Sequence, residues 1–570
     1  MNQKKLFLFL SILLLSKVAL GQPIAHTNNI SLKSVTNAPF EAVKLSFNTA
    51  DGNLYVIAQN GSIYRVDMGG VRRPGSTTRV QSTTDHGLVD VQGMDISSDG
   101  KFFIVGNLKD NQGSNATYTN IGIIKRATII NGNWNWETVA TTAPWPISNT
   151  DFDHVMNEIV IRPDDKMLYI NSGSRTDHGE EQAVWGDGLP QEGLYPDLRE
   201  TPLTAKILSI PADTTDAYLE NDIDSLKEKG FIFAEGTRNS FGLAFDGNGE
   251  LFSADNAGER DDPGEFNWLQ KGKHYGFPWR IGGNDTPMQY PDYNRDEDQL
   301  FNAVGRDDLF YNDPDYPTPP EGVDFTEPIL NFGPDGINYV DSETGKIINA
   351  FEQDTAISSF TGHRSSLGLV FDRDSALTGE YTGDGFVLAF TGGNDPYFLL
   401  STMDDQGEDL LHIELTKSEN TYTMTSKRLV SGFYNPIDSE IIGNEIFVLE
   451  FGNSWLNNNV TTKIWKVGFG EPVANEFETN GPAEFKLDQN YPNPFNPSTV
   501  ISFNLSKSGF VELDVFNSLG QKVSSLVKNR MNAKTYEVKF NATNLSSGIY
   551  FYTLRVDGAF VNTQKMMLIK

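Results

Sequence analysis

The sequence predicts an all-β protein, a six-bladed β-propeller followed by a small antiparallel β-sandwich. Three observations carry this. Short apolar strand pairs recur over most of the chain, many of them introduced by a polar or glycine turn. The last roughly seventy residues change to strict apolar–polar alternation with turns at Ser518-Leu519-Gly520-Gln521 and Ser546-Ser547-Gly548. Helix is scarce: the main candidate, Asp224 to Lys229, is too short to organise a helical domain.

Taken in order, the expected inner strands are Leu54-Tyr55-Val56-Ile57, Phe102-Phe103-Ile104-Val105, Met167-Leu168-Tyr169-Ile170, Leu251-Phe252-Ser253-Ala254, Phe386-Val387-Leu388-Ala389 and Ile446-Phe447-Val448-Leu449. Four follow turns: Ala50 to Asn53, Ser98 to Lys101, Pro163 to Lys166 and Gly247 to Glu250. Partner strands follow at Ser62 to Val66, Gly122 to Arg126, Lys206 to Ile210, Leu410 to Ile413 and Lys463 to Val467. Six units of about seventy-five residues each fit propeller blades that carry insertions, whereas a parallel β-helix repeats at a much shorter period. The polar, Asp/Gly/Pro-rich segments Gly173 to Tyr195 and Gly282 to Pro320 read as functional loops laid over one face.

A chain of 570 residues exceeds one ordinary core, although a propeller can be this long because each blade buries its own face. The formal charge of -31 argues against a nucleic-acid partner, since little here could neutralise a phosphate track. With no cysteine, disulfides, thiolate zinc sites and the C-x-x-C-H haem attachment are excluded, and any metal must use oxygen or imidazole ligands. Lys4 and Lys5, the run LFLFLSILLL and the small residues after it match a secretory signal. The run is shorter than the roughly 20 residues that span a bilayer, the alternative being a short anchor. The expected organisation is a signal peptide at 1–22, the propeller at 23–472, a linker at 473–484 and the sandwich at 485–570.

Four loops carry chemistry. In the first, His154 stands beside Asp153, and a histidine next to a carboxylate can be held in one tautomer as a base; the alternative is a surface-loop histidine. The second holds Arg238 and Asn239, where a fixed guanidinium suits a planar carboxylate or a quinone oxygen; the alternative is a salt bridge to Glu235 or a neighbouring blade. The third runs from Asp255 to Glu265 and on to Asn267 and Tyr275. Clustered carboxylates and carbonyls at a glycine bend suit calcium, unless Arg260 neutralises a merely solvated acidic turn. The fourth, Thr361 to Leu369, places His363 and Arg364 ahead of a strand.

In this order, and above all in the block Arg238-Asn239-Ser240-Phe241-Gly242-Leu243-Ala244-Phe245 with its Glu265-Phe266-Asn267 and Tyr275-Gly276-Phe277-Pro278 sequel, the loops resemble the glucose/sorbosone dehydrogenase family over roughly Ala38 to Gly468. Soluble members of that family are six-bladed propellers using pyrroloquinoline quinone (PQQ) and calcium. The resemblance implies that His154 takes the proton of a sugar anomeric hydroxyl and that Asp153 supports it. Arg238 would stabilise a quinone oxygen, with Asn239, His363 and Arg364 also on the cofactor. It further implies cofactor-calcium ligands at Gly258 and Glu259, and a structural calcium at Asp262, Glu265 and Tyr275. The chain departs from the strongly glucose-active members, which carry a last-blade arginine pair where this sequence has Tyr434-Asn435-Pro436-Ile437-Asp438. That segment, like Tyr381-Thr382-Gly383 and the His363 loop, resembles the sorbosone- and pyranose-type branch. Val91-Gln92-Gly93-Met94-Asp95 likewise stands where a Gly-Leu-Leu-Gly turn is usual.

At the C-terminus the succession NYPNPFNPST, VFNSLGQKV and LSSGIYFYTL, ending at Lys570, resembles the type A sorting domain of the type IX secretion system. The expectation is therefore an exported quinoprotein, secreted or held at the outer-membrane surface. It would oxidise the C1 hydroxyl of an aldose or pyranose to a lactone and pass electrons to an external acceptor. The alternatives are a non-catalytic, calcium-stabilised propeller that binds glycans or a surface partner, and a hydrolase or lyase using His154.

Overall fold

The computed structural model describes residues 22–70, 73–110, 119–147, 152–180, 184–186, 189–191, 199–301, 310, 312–393, 399–452, 461–470, 485–490, 492–505, 509–531, 535–543, 545–556 and 559–570. The signal peptide and the linker expected at 473–484 lie outside them, apart from Gln22. The chain divides into two compact units, Met1–Pro472 and Val473–Lys570.

The first unit is a ring of six mainly antiparallel sheets, with short parallel strands added at the outer edges of the second (Ala217–Leu219) and the fifth (Leu330–Pro334). Their innermost strands are Ala42–Asn48, Val91–Ile96, Met156–Ile161, Gly242–Phe245, Ser366–Phe371 and Pro436–Ile442, and each contacts the next until the last returns to the first. This closed ring makes the unit a six-bladed β-propeller. The strand Ile30–Asn37 pairs with Lys463–Phe469 as the outermost strand of blade 6, and the shorter Ile24–Ala25 before it pairs with Tyr422–Ser431 of blade 5. Blade 4 has three strands, and the edge of its outer one, Glu265–Leu269, is met by a bridge from Gly264 to Phe360 and a hydrogen bond from Ile329 N to Phe266 O (2.9 Å). The short helix Ile223–Glu228 forms where expected, its first turn capped by the Asp222 side chain on Ser225 N.

One expectation is corrected. The apolar quartets beginning at Leu54, Phe102, Met167, Leu251, Phe386 and Ile446 are the second strands of their blades, and the four turns before them are the hairpins that join first strand to second. The second strands are sandwiched between neighbours and read as continuous apolar runs. The first strands border the axial channel and carry Lys44, Asp95, Glu158, Asp438 and Glu440. Their inner edges have no partner strand, so the backbone donors there need other acceptors. Leu45 N donates to Asp438 (2.7 Å), Ile161 N to Asp95 (2.8 Å), and the Phe47 backbone bonds to Glu440. Carboxylates of one blade thus satisfy the open edge of the next.

The second unit is an antiparallel sandwich. One sheet is Lys486–Leu487, Ser498–Asn504 and Thr535–Asn541; the other runs in the order Lys522–Met531, Gly509–Asn517, Gly548–Val556, Ala559–Leu568. Alternate residues such as Ile501, Phe503, Val511, Leu513, Val515, Tyr552 and Leu554 fill a common core. The Asn-rich opening is tied to it through Tyr552, whose hydroxyl donates to Asp488 O and accepts from Asn490 N, both at 2.7 Å.

Candidate active site

The late residues of all six innermost strands line one cavity of about 660 Å³, so the strands end together at one mouth of the channel and begin together at the other. That cavity is the mouth away from the four chemical loops. The loops precede the innermost strands of blades 3, 4 and 5 or follow second strands, and they gather at the opposite end.

His154 stands there at the entrance to Met156–Ile161. Its backbone N donates to Ser174 O (3.0 Å), and Nδ1 lies 3.3 Å from the same carbonyl and 3.2 Å from Ser174 Oγ. A carbonyl only accepts, and the Ser174 hydroxyl is already donated to Thr176 O (2.9 Å), so the Ser174 contacts fit a tautomer with its proton on Nδ1; the Phe152 carbonyl also accepts from the ring. Burial, reinforced by the Arg238 charge, pushes the imidazole down to about 3, so it is neutral around pH 7. Ser174 is thus a partner of the His154 ring that the sequence did not point to. Close approach is possible because residue 173 is glycine: a Cβ there would lie 2.5 Å from His154 Cβ.

Arg238 is pinned by Asp177. Its Nε donates to Asp177 O (2.8 Å), one terminal nitrogen to Asp177 Oδ1 (2.8 Å) and the other to Asn256 O (3.3 Å). The partner is thus on blade 3, whereas Glu235 pairs with Lys227 at 2.9 Å. Asp177 also accepts from Glu259 N and from His178 Nδ1 (3.0 Å). Against the desolvation of its burial, the His178 bond and the Arg238 charge hold its carboxyl well below the usual range. His178, opposed by burial but drawn up by Glu180 and Asp177, is raised toward the charged form and stacks on Phe310 at 4.0 Å.

Asn239 closes a ring of amides. Its Oδ1 accepts from Asn157 (2.7 Å) and Asn171 (3.3 Å), Asn157 also holds His154 O (3.1 Å), and Asp255 takes the backbone donors of Arg238 and Asn239. Around this ring Thr237 Oγ1, Asn171 Oδ1 and Asn256 Oδ1 are buried without a protein partner, which marks a place for polar ligand atoms or water.

In the acidic loop the carboxylates are engaged by protein partners. Arg260 bridges Asp262 (2.6 Å) and Asp298 (2.8 Å), and Asp262 also accepts from Asn284 (2.8 Å). Glu265 takes Asn267 (2.9 Å) and Gly282 N (2.8 Å), while the Tyr275 hydroxyl is spent on Trp268 O and Gln270 N at the far end of the strand. At Gly258 and Glu259 the Glu259 N–H faces Asp177. Among the described residues no three His, Asp or Glu side chains converge in metal-holding geometry. Glu265 and Asp255 are cross-strand neighbours; burial raises both, and the Asp255 charge raises Glu265 further.

His363 lies 2.7 Å from Asp261 through Nε2, joining blades 4 and 5. Arg364 is buried and engaged with Asp405 (2.6 Å) and Asp409, so it braces the loop behind His363. The residues that sequence reasoning missed are Ser174, Asp177, His178 and Asn171. The polar segment from Gly173 was singled out as a loop, and its Asp-His pair between glycines was the signal available.

A six-bladed propeller joined to a β-sandwich, with a neutral histidine beside a pinned arginine at one mouth, defines the class. Residues 39–300 match the family described as Glucose / Sorbosone dehydrogenase, and residues 489–570 match the Secretion system C-terminal sorting domain. The second match makes this an exported protein, delivered by the type IX system to the cell surface or beyond. No curated protein matches the chain. Among solved structures it is similar to the PQQ-bound aldose sugar dehydrogenase of Streptomyces coelicolor, at 15% identity over 78% of this chain and 99% of that one, TM-score 0.42. It is also similar to the apo soluble aldose sugar dehydrogenase of Escherichia coli, at 13% identity over 77% and 99%, TM-score 0.44. A third is the holo PQQ domain of pyranose dehydrogenase from Coprinopsis cinerea, at 12% identity over 78% and 97%, TM-score 0.45.

Proposed function

We propose that the protein is a secreted quinoprotein dehydrogenase that oxidises the C1 hydroxyl of an aldose or related pyranose to a lactone and yields electrons to an external acceptor. The observation that carries this reading is the pairing of a neutral His154 with the Arg238–Asn239 block inside the stretch that matches the dehydrogenase family. The unpaired Thr237 hydroxyl can donate to a cofactor oxygen, while the unpaired Asn171 and Asn256 amide oxygens can accept from a sugar hydroxyl or a cofactor N–H. Arg238, Asn239 and Thr237 would hold the cofactor. When bound, PQQ accepts the hydride that leaves C1.

The chain's own contribution is binding and proton handling. His154 Nε2 takes the C1 hydroxyl proton, and the imidazolium that results is stabilised by its Nδ1–H bond to Ser174 O and by Asp177 nearby. Arg238, held rigid by Asp177, presents a fixed positive charge where negative charge develops on an oxygen. Asn157 and Asn171 keep Asn239 and the His154 backbone in register.

The test is to titrate the exported protein with PQQ, with and without calcium, and follow the quinone spectrum as aldoses are added. Reduction by at least one sugar, lost in His154→Ala, supports the reading and shows whether calcium is needed. A propeller that binds sugars but never reduces the quinone would be a glycan-binding module instead.

A further inference from the structure

Five of the six innermost strands begin in the same way. The residue just before each adopts a left-handed backbone: Glu41 (φ 57), Asp90 (φ 49), Val155 (φ 50), Ser365 (φ 49) and Asn435 (φ 42). A shift of register follows at once in each, at Ala42/Lys44, Val91/Gly93, Met156/Glu158, Ser366/Gly368 and Pro436/Asp438. The turn is part of the blade plan, and polar residues suit it. Val155 does not, because a β-branched side chain at positive φ is strained. It is also the residue that follows His154.

Three contacts hold that strain in place. The Asn107 side chain, from the second strand of blade 2, grips both backbone groups of Met156, donating to its carbonyl (2.7 Å) and accepting from its N–H (3.2 Å), while Asn120 fixes Asn107 (3.0 Å). The Met156 side chain is buried in a notch that only Gly122 leaves open, since a Cβ there would lie 2.3 Å from the sulfur. Val155 is buried in the core between blades 2 and 3, and its carbonyl takes Gly173 N (2.9 Å). With residue 156 clamped and 155 packed, the direction in which His154 leaves the chain is set.

We propose that Asn107 is a positioning residue for His154, acting across the blade boundary through the Met156 peptide and the left-handed Val155. The inference rests on the assignment of His154 as base, and neither Asn107 nor Val155 touches substrate or cofactor. An arrangement selected only for stability would favour glycine or asparagine at 155. The valine gives up backbone ease for a packed side chain beside the histidine.

The test uses Asn107→Leu, which keeps the volume and loses both bonds, and Val155→Gly, which removes the backbone strain and so keeps a folding variant in hand. His154 is followed by its imidazole ¹⁵N shifts in the unloaded protein, assigned with His154→Gln, and by kcat and KM in the loaded one. The expected result is a change of His154 from a single Nδ1–H tautomer to an averaged one, with kcat down about 100-fold and KM within about twofold. Wild-type ¹⁵N shifts and kcat in a folded Asn107→Leu variant, or in Val155→Gly where Asn107→Leu does not fold, would overturn it. If wild type reduces no sugar but both variants still change the ¹⁵N shifts, the dehydrogenase reading fails and the positioning role stands.

Discussion

Arg238 and Asp177, 61 residues apart in the chain, form a buried ion pair of 2.8 Å that joins blade 4 to a loop of blade 3 directly behind His154. The pair fixes the guanidinium in direction, and the Arg238 charge helps to keep the histidine neutral. Asp177→Asn leaves the arginine buried without its counter-charge, so it is expected to cost about 3 kcal/mol or more in denaturant unfolding. Turnover should fall with it. A variant as stable as wild type would show that solvent already compensates the arginine.

Gly173→Ala tests the close approach of strand and base. The added methyl meets His154 Cβ at 2.5 Å and Asn239 Oδ1 at 3.2 Å, and neither is the free end of a flexible side chain. The protein should fold, since the contact lies at the mouth, but kcat should drop by about 10-fold or more as the imidazole is displaced. Steady-state kinetics beside thermal unfolding separates the two effects.

Lys44 is the hub of the channel. It pairs with Glu158 of blade 3, lies 3.6 Å from Asp438 of blade 6 and donates to Phe241 O of blade 4 (3.3 Å). Lys44→Met strands two carboxylates in a buried place, and we expect a loss of about 3–5 kcal/mol, read from the denaturation midpoint. Lys44→Met combined with Glu158→Gln should recover part of it.

His154 and Glu440 contribute to the pH dependence of stability with opposite signs. His154 falls from its ordinary 6.5 to about 3 on folding, so the unfolded chain binds more protons between those values, and stability is lost as the pH drops through that window. Glu440 is pushed up by burial from 4.5 to about 8, with Arg373 opposing, so its contribution is present below 4.5 and is lost as the pH rises toward 8. Glu440→Gln should lessen the decline between pH 4.5 and 8, to which Glu158 and Glu265 also contribute, and leave the slope below pH 4.5 unchanged, which unfolding curves across pH 4–9 would show.

The blades were legible in the sequence through their second strands, because a strand covered on both faces is a plain apolar run, and through the hairpin turns before them. The first strands were not, because Lys44, Asp95 and Glu158 serve an open edge and a channel, contacts that local pattern does not encode. Arg238 and Asn239 stood out by their motif. Ser174 and Asp177 did not, since their importance arises only when the loop after Ser172 folds back over blade 4. Tyr275 was plain from its motif, whereas the partners of its hydroxyl, Trp268 O and Gln270 N, were not. The sorting domain was the most readable part, as small sandwiches alternate strictly and its Asn490 and Tyr552 contacts are local to the unit.

The most direct measurement is a single-turnover reduction of the PQQ-loaded protein by an aldose carrying deuterium at C1, compared with the protium sugar, in wild type and His154→Ala. The account predicts a clear primary isotope effect in wild type and a loss of reduction of about 100-fold or more in the variant. Reduction at the wild-type rate in His154→Ala would contradict the assignment of His154 as the base that removes the C1 hydroxyl proton, and reduction without an isotope effect would contradict a hydride loss from C1 that limits the rate.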